Sequence, residues 1–330
     1  MKLVVSLVMP VVLAAGNWPQ WRGPSLNGTS SEKGLPLKWD QEQNIAWKLA
    51  MPAFSGSTPA IWGEHIFLNV ADGDALSIWA VNREKGNVLW KRPLSGGNVK
   101  MRKQNMSTPS PVTDGKNVWI MTGTGMLKSF DFQGNEQWSR DIQKDYGRFG
   151  LNHGYGSSPL LHEDALYVQV LHGMTTDDPS YVLRIDKKTG KTIWKVERPT
   201  DAQHESPDSY TTPALVTNGQ GKQELVITGA NFATGHDLAT GKELWRAGGF
   251  NPQANPANRV VASAVAFGEV VYVPTRVRPL KAYRGFGRGD VTESHQLWAF
   301  QKGPDVPSPV TDGKYFYSVD DRGIVSCLDA

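Results

Sequence analysis

Short apolar runs of about five residues follow one another along the chain, separated by glycine-containing turns. Runs such as Val118-Trp119-Ile120 and Tyr315-Phe316-Tyr317 are rich in β-branched and aromatic residues, which is typical of β-strands. The Asp-Gly, Thr-Gly and Asn-Gly pairs between the runs are typical of tight turns that join antiparallel strands. No long segment has the period of an amphipathic helix. The pattern therefore predicts an all-β protein made of many short antiparallel strands.

An internal repeat organises these strands. The string Ser-Pro-Val-Thr-Asp-Gly-Lys occurs at 110–116 and again at 308–314. Aligning the chain on it gives six repeat starts, which are Pro59, Pro111, Pro159, Pro213, Ala264 and Pro309. Successive starts lie 52, 48, 54, 51 and 45 residues apart, which fits one four-stranded sheet per repeat. Because radial stacking buries both faces of such sheets, we predict a β-propeller of four-stranded antiparallel blades, about six of them in this chain.

A tryptophan follows each of the first five repeat starts, and another precedes the first repeat. These residues are Trp47, Trp90, Trp138, Trp194, Trp245 and Trp298. An aromatic side chain at the same place in each outer strand would fill the wedge between neighbouring blades, so we interpret all six as blade-docking residues. Trp47 has no three strands before it, whereas the repeat starting at Pro309 has no tryptophan strand after it. We therefore predict that residues 44–49 form the outer strand of the closing blade.

The Asp-x-x-Thr-Gly-Lys-x-x-Trp pattern at Asp186–Trp194 and Asp237–Trp245 resembles the tryptophan-docking repeat of PQQ-like β-propellers. Segments at 18–24, 152–159 and 289–292 resemble one bacterial branch of that family, the planctomycete-type PQQ-binding-like repeat proteins. The resemblance covers residues 18–330 and implies the fold without implying one activity. The wider family includes a periplasmic propeller that helps assemble outer-membrane β-barrels, and the quinoprotein dehydrogenases.

Members of this branch generally carry about two further blades, and this leaves two interpretations of the chain. Either it closes as a six-bladed ring, or it is a truncated piece of an eight-bladed propeller. We favour the second.

The first sixteen residues have the organisation of a secretory signal, with Lys2, a short apolar run and the small residues Ala14-Ala15-Gly16. A buried first strand is the alternative, but Pro10 within the run disfavours it. We predict a signal peptide at 1–16, an N-terminal extension at 17–43 and a single propeller domain at 44–330. The protein would be exported to the periplasm or cell envelope, and no stretch is long enough to span a membrane as a helix.

Composition and charge exclude several classes of function. The one cysteine, Cys327, excludes a disulfide framework within the chain and a metal site built from several cysteines. A net charge of +3 provides no general basic field for nucleic acid. We expect a monomer that does not bind nucleic acid.

Residues just before each repeat start should face one mouth of the central channel, because each start begins an innermost strand. Polar side chains there suit ligand binding on a rigid scaffold, although solvated loops have the same composition. Our candidate ligand-binding residues are Arg102, Asn105, His153, Tyr155, His204, Asp208, Asn255 and Arg259. His153, His172 and His204 lack the spacing of metal ligands, so no metal is predicted. Five cations, at 276, 278, 281, 284 and 288, form either an anion-binding segment or a solvated loop.

Three functions remain. We predict a non-catalytic binding or scaffold propeller that contacts a protein or glycan of the cell envelope and has no cofactor. The alternative is a PQQ-dependent alcohol or sugar dehydrogenase with calcium, although no acidic cluster maps onto the calcium ligands of such enzymes. A carbohydrate-active propeller would need an acidic pair at the mouth. Asp177, Asp178, Glu205 and Asp208 are the carboxylates that offer one, and we assign no catalytic residue.

Overall fold

The computed structural model describes residues 16–330, so the predicted signal peptide lies outside the described residues except for Gly16. Within this range the chain forms 24 strands and one helix of five residues. The strands make six sheets, most of them four antiparallel strands in chain order. The predicted fold class, an all-β propeller of four-stranded blades, is confirmed.

The blades follow one another along the chain. Blade 1 contains β1 (Ala60–Trp62), β2 (His65–Asp72), β3 (Ala75–Asn82) and β4 (Val88–Ser95); blade 2 contains β5 (Val112–Thr113), β6 (Asn117–Met121), β7 (Met126–Asp131) and β8 (Glu136–Asp141). Blade 3 contains β9 (Leu160–His162), β10 (Ala165–Val170), β11 (Tyr181–Asp186) and β12 (Thr192–Glu197). Blade 4 contains β13 (Ala214–Thr217), β14 (Gln223–Gly229), β15 (Phe232–His236) and β16 (Glu243–Ala247). Blade 5 contains β17 (Val265–Phe267), β18 (Val270–Val273), β19 (Leu280–Arg284) and β21 (Gln296–Phe300); blade 6 contains β22 (Val310–Thr311), β23 (Tyr315–Val319) and β24 (Val325–Asp329).

Two short elements lie outside this regular plan. The helix α1 (Ile142–Tyr146) follows blade 2, and the Asp141 side chain caps it by accepting a hydrogen bond from the Lys144 N–H. Strand β20 (Gly289–Asp290) belongs to the connection between β19 and β21 and pairs in parallel with β16. This connection therefore ties blade 5 to blade 4.

The core lies between the blades, because the strands are buried on both faces. In β6, Val118 and Ile120 pack toward blade 1, whereas Trp119 and Met121 pack toward blade 3. Alternate side chains of a strand point to opposite faces of the sheet, so a strand between two blades needs apolar residues at successive positions. This explains why the strands are continuous apolar runs.

Each inner strand begins one residue after a repeat start, and the residue before each start is a serine or threonine. These hydroxyls join successive blades through hydrogen bonds from the backbone. The bonds run from Thr58 N to Ser110 Oγ, Ser110 N to Ser158 Oγ, Ser158 N to Thr212 Oγ1, Thr212 N to Ser263 Oγ and Ser263 N to Ser308 Oγ, at 2.9–3.1 Å. This chain of bonds fixes the loops at the channel mouth relative to one another.

The structure differs from the predicted closure of the propeller. Residues 44–49 form no strand, and within the described residues the sheet of blade 6 has three strands. Trp47 is instead held by blade 1, where its Nε1–H donates to the Arg83 carbonyl at 2.8 Å and its ring covers Gly86. Trp47 thus makes the same contact with blade 1 that three of the other blade tryptophans make with their following blades, but without a hydrogen-bonded ladder to β24.

The start of the N-terminal extension covers the end of the channel opposite the mouth. Residues 17–28 hydrogen-bond to the inner strands of four blades, while Leu26 packs beside Leu160 and Leu215. The contacts join Trp18 to Ile61 of β1, Pro19 to Thr113 of β5, Gln20 to Leu161 of β9 and Asn27 to Thr311 of β22. We call residues 17–28 the channel cover.

Candidate functional site at the channel mouth

The mouth carries a connected set of charged side chains from four successive blades. His153, Glu205, Arg259 and Asp305 come from the loops that precede the inner strands of blades 3, 4, 5 and 6. Glu205 Oε1 lies 3.4 Å from His153 Nε2 and 3.8 Å from Arg259 Nε. On its other side, Arg259 Nη2 lies 3.4 Å from Asp305 Oδ2, and Arg276 Nε approaches the same oxygen at 4.0 Å. We call these five residues the mouth network.

Two atoms of the mouth network have unused hydrogen-bonding capacity. Arg259 Nη1 and Asp305 Oδ1 are buried and have no partner within residues 16–330. A buried polar atom without a partner is costly, so such atoms indicate a place where a partner molecule can supply a hydrogen bond. A partner molecule at the mouth would therefore meet one free donor, on Arg259, and one free acceptor, on Asp305.

Asp208 lies below this network and is fully buried. Its carboxylate accepts hydrogen bonds from the backbone N–H groups of Asn152 at 2.7 Å, Gly173 at 3.0 Å and Met174 at 3.1 Å. Burial raises the pKa of Asp208 to about 6, which means that desolvation outweighs the three donors, and the nearby Glu205 charge acts in the same direction. Asp208 therefore holds loops together beneath the mouth.

Tyr210 supports the same loops. Its hydroxyl accepts a hydrogen bond from the His153 backbone N–H at 3.1 Å, and the two rings lie 6.1 Å apart. Burial raises the pKa of Tyr210, so its hydroxyl stays neutral. No signal in the sequence marked Tyr210, since it follows the segment that we expected to face the channel.

The structure brings some of the predicted site residues together and separates others. Tyr155, expected at the mouth, is instead in the core between blades, where its hydroxyl donates to the Gln169 carbonyl at 3.0 Å. Asn105 is also buried, and its amide donates to the Phe54 carbonyl at 2.6 Å. Asn255 is exposed in a turn, and its Oδ1 accepts the Ala257 N–H.

His204 and Arg102 are exposed beside the mouth, outside the mouth network. His204 lines a cleft of about 450 Å³ together with His172 and the loop 176–180. Arg102 lines a separate cleft. Of the eight candidates, His153 and Arg259 belong to the mouth network and Asp208 lies directly beneath it.

Four of the six predicted tryptophans make the same contact with the following blade. In each, the indole N–H donates to a backbone carbonyl of a turn and the ring covers the glycine of that turn. These pairs are Trp47 with Arg83 and Gly86, Trp90 with Phe132 and Gly134, Trp138 with Lys187 and Gly190, and Trp194 with Leu238 and Gly241. The glycines have positive φ, and any Cβ there would overlap the ring. These contacts support the blade-docking role that we propose for the tryptophans.

Trp245 and Trp298 have different surroundings. Trp245 is buried within its own blade, covers Gly235, and donates to Glu224 Oε2 at 2.8 Å. The fully buried Glu224 also accepts from Arg288 at 3.1 Å. Trp298 packs against the rings of Tyr272 and Phe316.

The five-cation segment is dispersed by the fold. Arg276 joins the mouth network, Arg288 pairs with Glu224, and Lys281 lies 5.5 Å above the ring of Phe250. These cations therefore do not form one anion-binding surface.

The channel cover contains a cation without a counter-charge. Within residues 16–330, no carboxylate forms an ion pair with Arg22, and its Nε and Nη2 atoms are buried without hydrogen-bond partners. The guanidinium lies 5.1 Å from the Trp21 ring centre. Desolvation lowers the pKa of Arg22 to about 10.

A calcium ion is the metal that a quinoprotein dehydrogenase would require. Calcium takes six to eight oxygen ligands, several of them carboxylates. Residues 16–330 contain no group of three or more His, Cys, Asp or Glu side chains placed to hold an ion. The carboxylates of this range therefore do not gather as a calcium site requires. Within the same range, no helix is long and apolar enough to cross a membrane.

The fold and its repeats define a β-propeller of the PQQ-like repeat class. The family model described as outer membrane protein assembly factor BamB matches residues 29–152 and 148–330. The chain belongs to that family. No curated protein sequence matches it.

Solved structures share the fold at low sequence identity. BamB from Moraxella catarrhalis matches with a TM-score of 0.56 and 13% identity, covering 84% of this chain and 71% of that chain. Quinohemoprotein alcohol dehydrogenase from Comamonas testosteroni matches with a TM-score of 0.54 and 10% identity, covering 96% of this chain and 49% of that chain. This chain thus spans about half the length of the dehydrogenase. At these identities, the likeness shows the fold alone.

Proposed function

We propose that this chain is a non-catalytic scaffold of the bacterial cell envelope that holds a partner protein at its channel mouth during outer-membrane protein assembly. One observation carries the proposal: the mouth network joins four successive blades through side chains that retain hydrogen-bonding capacity. The description of the matched family supports the same role. The signal-like residues 1–16 support export.

The mouth network suits recognition of a polypeptide. A polypeptide offers carbonyl acceptors, N–H donors and charged side chains, and Arg259 and Asp305 each have one unpaired buried atom to meet them. Arginine is enriched among the residues that dominate protein interfaces. The bonds between blades hold the loops in place before binding, so little conformational entropy is lost when the partner docks.

Photo-cross-linking in the native host tests the proposal. A photoreactive phenylalanine at the exposed position 204 should give an adduct with an outer-membrane β-barrel protein or with its assembly machinery, while the same residue at the exposed position 188 should not. Arg259→Met should remove the adduct, because the partner loses its central donor. Arg184→Met is the matched control, since Arg184 pairs with Asp164 in the turn between β9 and β10, at the end of blade 3 away from the mouth.

Two outcomes would overturn the proposal. An adduct that contains glycan and no protein would assign the mouth to a glycan. Saturable binding of PQQ with calcium, measured by calorimetry on the purified protein, would instead favour a quinoprotein dehydrogenase. Thermal unfolding of each variant shows whether it is folded.

A further inference from the structure

A second concave surface lies beside the mouth, between blades 1 and 2. It is a cleft of about 480 Å³ lined by residues 98 and 100–105 of the connection from β4 to β5, by Ala53 and Phe54, and by Gly73. We call it the basic cleft. Gln104 joins it to the mouth, because its amide donates to the carbonyls of His153 at 2.7 Å and Gly154 at 2.8 Å.

Three cations line the basic cleft without counter-charges. Lys100, Arg102 and Lys103 are exposed, and within residues 16–330 none of them has an ion pair or side-chain hydrogen bond. Elsewhere, cations such as Arg140 and Arg184 lie 2.6 Å and 2.9 Å from carboxylates. Three like charges within four residues repel one another, so their positive potential is available to an anionic partner.

An exposed aromatic ring stands at the same cleft. Phe54 is 68% exposed, and the neighbouring Val99 is 54% exposed. The backbone around them is fixed: Asn105 donates to the Phe54 carbonyl, and Asn98 donates to the Gly73 carbonyl at 2.8 Å. The ring is therefore presented on an ordered backbone, as an anchor for a large apolar side chain.

We propose that the basic cleft binds an acidic polypeptide segment that carries an aromatic or large aliphatic residue. Carboxylates of the segment pair with Lys100, Arg102 and Lys103, and its apolar residue packs on Phe54. The concave shape admits an extended chain, whereas a flat anionic bilayer would reach only the rim. This proposal rests on the proposed function in that the segment belongs to the partner held at the mouth.

Fluorescence anisotropy with the full chain tests this assignment. The probe is a labelled synthetic peptide that alternates Asp and Glu around a central Phe, and the reference peptide carries Asn and Gln in place of the acids. The acidic peptide should bind, the reference should not, and added salt should weaken binding. The triple variant Lys100→Gln, Arg102→Gln, Lys103→Gln should lower affinity at least tenfold, whereas Lys188→Gln, Lys191→Gln, Lys242→Gln should leave it unchanged.

Phe54→Ser separates the apolar contact from the charge. This substitution should weaken binding of the acidic peptide with a central Phe, but not binding of an acidic peptide with a central Ser. Equal binding of acidic and reference peptides, or binding unaffected by the triple variant, would overturn the proposal. So would binding to vesicles of anionic lipid without binding to the acidic peptide.

The mouth and the cleft can fail separately. Arg259→Met should leave peptide binding at the cleft intact, because Arg259 is not among its lining residues. Absence of the cross-link at position 204 in the wild-type protein, with peptide binding retained, would refute the proposed function alone. Peptide binding absent while that cross-link persists would refute the basic cleft alone.

Discussion

Replacing Arg22 with methionine should stabilise the protein. At neutral pH the guanidinium is charged in both the folded and the unfolded chain, and in the fold it lies in the channel cover without a counter-charge. A pKa lowered from 12.5 to about 10 corresponds to a cost of about 3 kcal/mol at most. Methionine fills the space of the arginine stem and leaves no buried donor.

The net gain should be smaller than that cost. The contact between Arg22 and the Trp21 ring is lost, which costs roughly 0.5–1 kcal/mol. We therefore expect a gain of about 1–2 kcal/mol, seen in calorimetry as a rise in Tm of roughly 1.5–3 °C for a chain of this length. The gain should be the same from pH 5 to 8, because the pKa of Arg22 stays above that range.

A control and a refuting result follow from the same reasoning. Arg102→Met removes an exposed cation and should leave Tm unchanged. If Arg22→Met lowered Tm, the guanidinium would have a partner that stabilises it, and the inference of an uncompensated charge would be wrong.

Other predictions concern stability. Because the folded pKa of Asp208, about 6, exceeds its ordinary 3.8, the folded state binds the proton more tightly; this contribution is present below about pH 4 and is lost as pH rises through 6. Relative to Asp208→Asn, wild type should lose up to about 3 kcal/mol of unfolding free energy between pH 4 and pH 6.5 in denaturant unfolding, and a wild type that gained stability relative to the variant as pH rises would contradict this. Trp245→Ala should cost about 3–5 kcal/mol, since it empties a fully buried site and removes a donor from Glu224. Trp194→Ala should lower the free energy of unfolding by less, roughly 2 kcal/mol by thermal unfolding, because Trp194 is partly exposed. Equal losses of stability in Trp245→Ala and Trp194→Ala would contradict the argument from burial.

The repeat strings were sufficient to predict the blades. The identical strings around Pro111 and Pro309 predicted two inner strands, and the structure has an inner strand after each. The spacing between strings then predicted the remaining repeat starts. The hydroxyl before each start was equally visible, at positions such as Ser110 and Ser158, yet only the structure shows its bond to the next blade. A residue that recurs at each repeat thus predicts where a strand begins, but it does not predict which atoms of the neighbouring blade the side chain contacts.

The candidate site was predicted less well because the direction of a loop side chain depends on its neighbours. His153 and Tyr155 lie two residues apart in one segment, but the first reaches Glu205 at the mouth and the second packs in the core. Asp305, which completes the mouth network, precedes the repeat start Pro309 by four residues, so the position relative to a repeat start could have indicated it although it was not among the candidates. Trp245 departs from its pattern because the inserted β20 occupies the outer edge of blade 4.

The channel cover has a consequence for the order in which the protein assembles. Blades stacked around an axis touch their neighbours, so each can pack once the next has formed. The cover is different: Asn27 accepts a hydrogen bond from Thr311, a residue 284 positions later in the chain (311 − 27). This part of the cover must therefore wait for blade 6, and Asn27 and Gly28, which lies against Val310, stay without their full surroundings until nearly the whole described chain is present. Completion of the cover thus has to follow the formation of blade 6, and it links the first blade to the sixth in one cooperative unit.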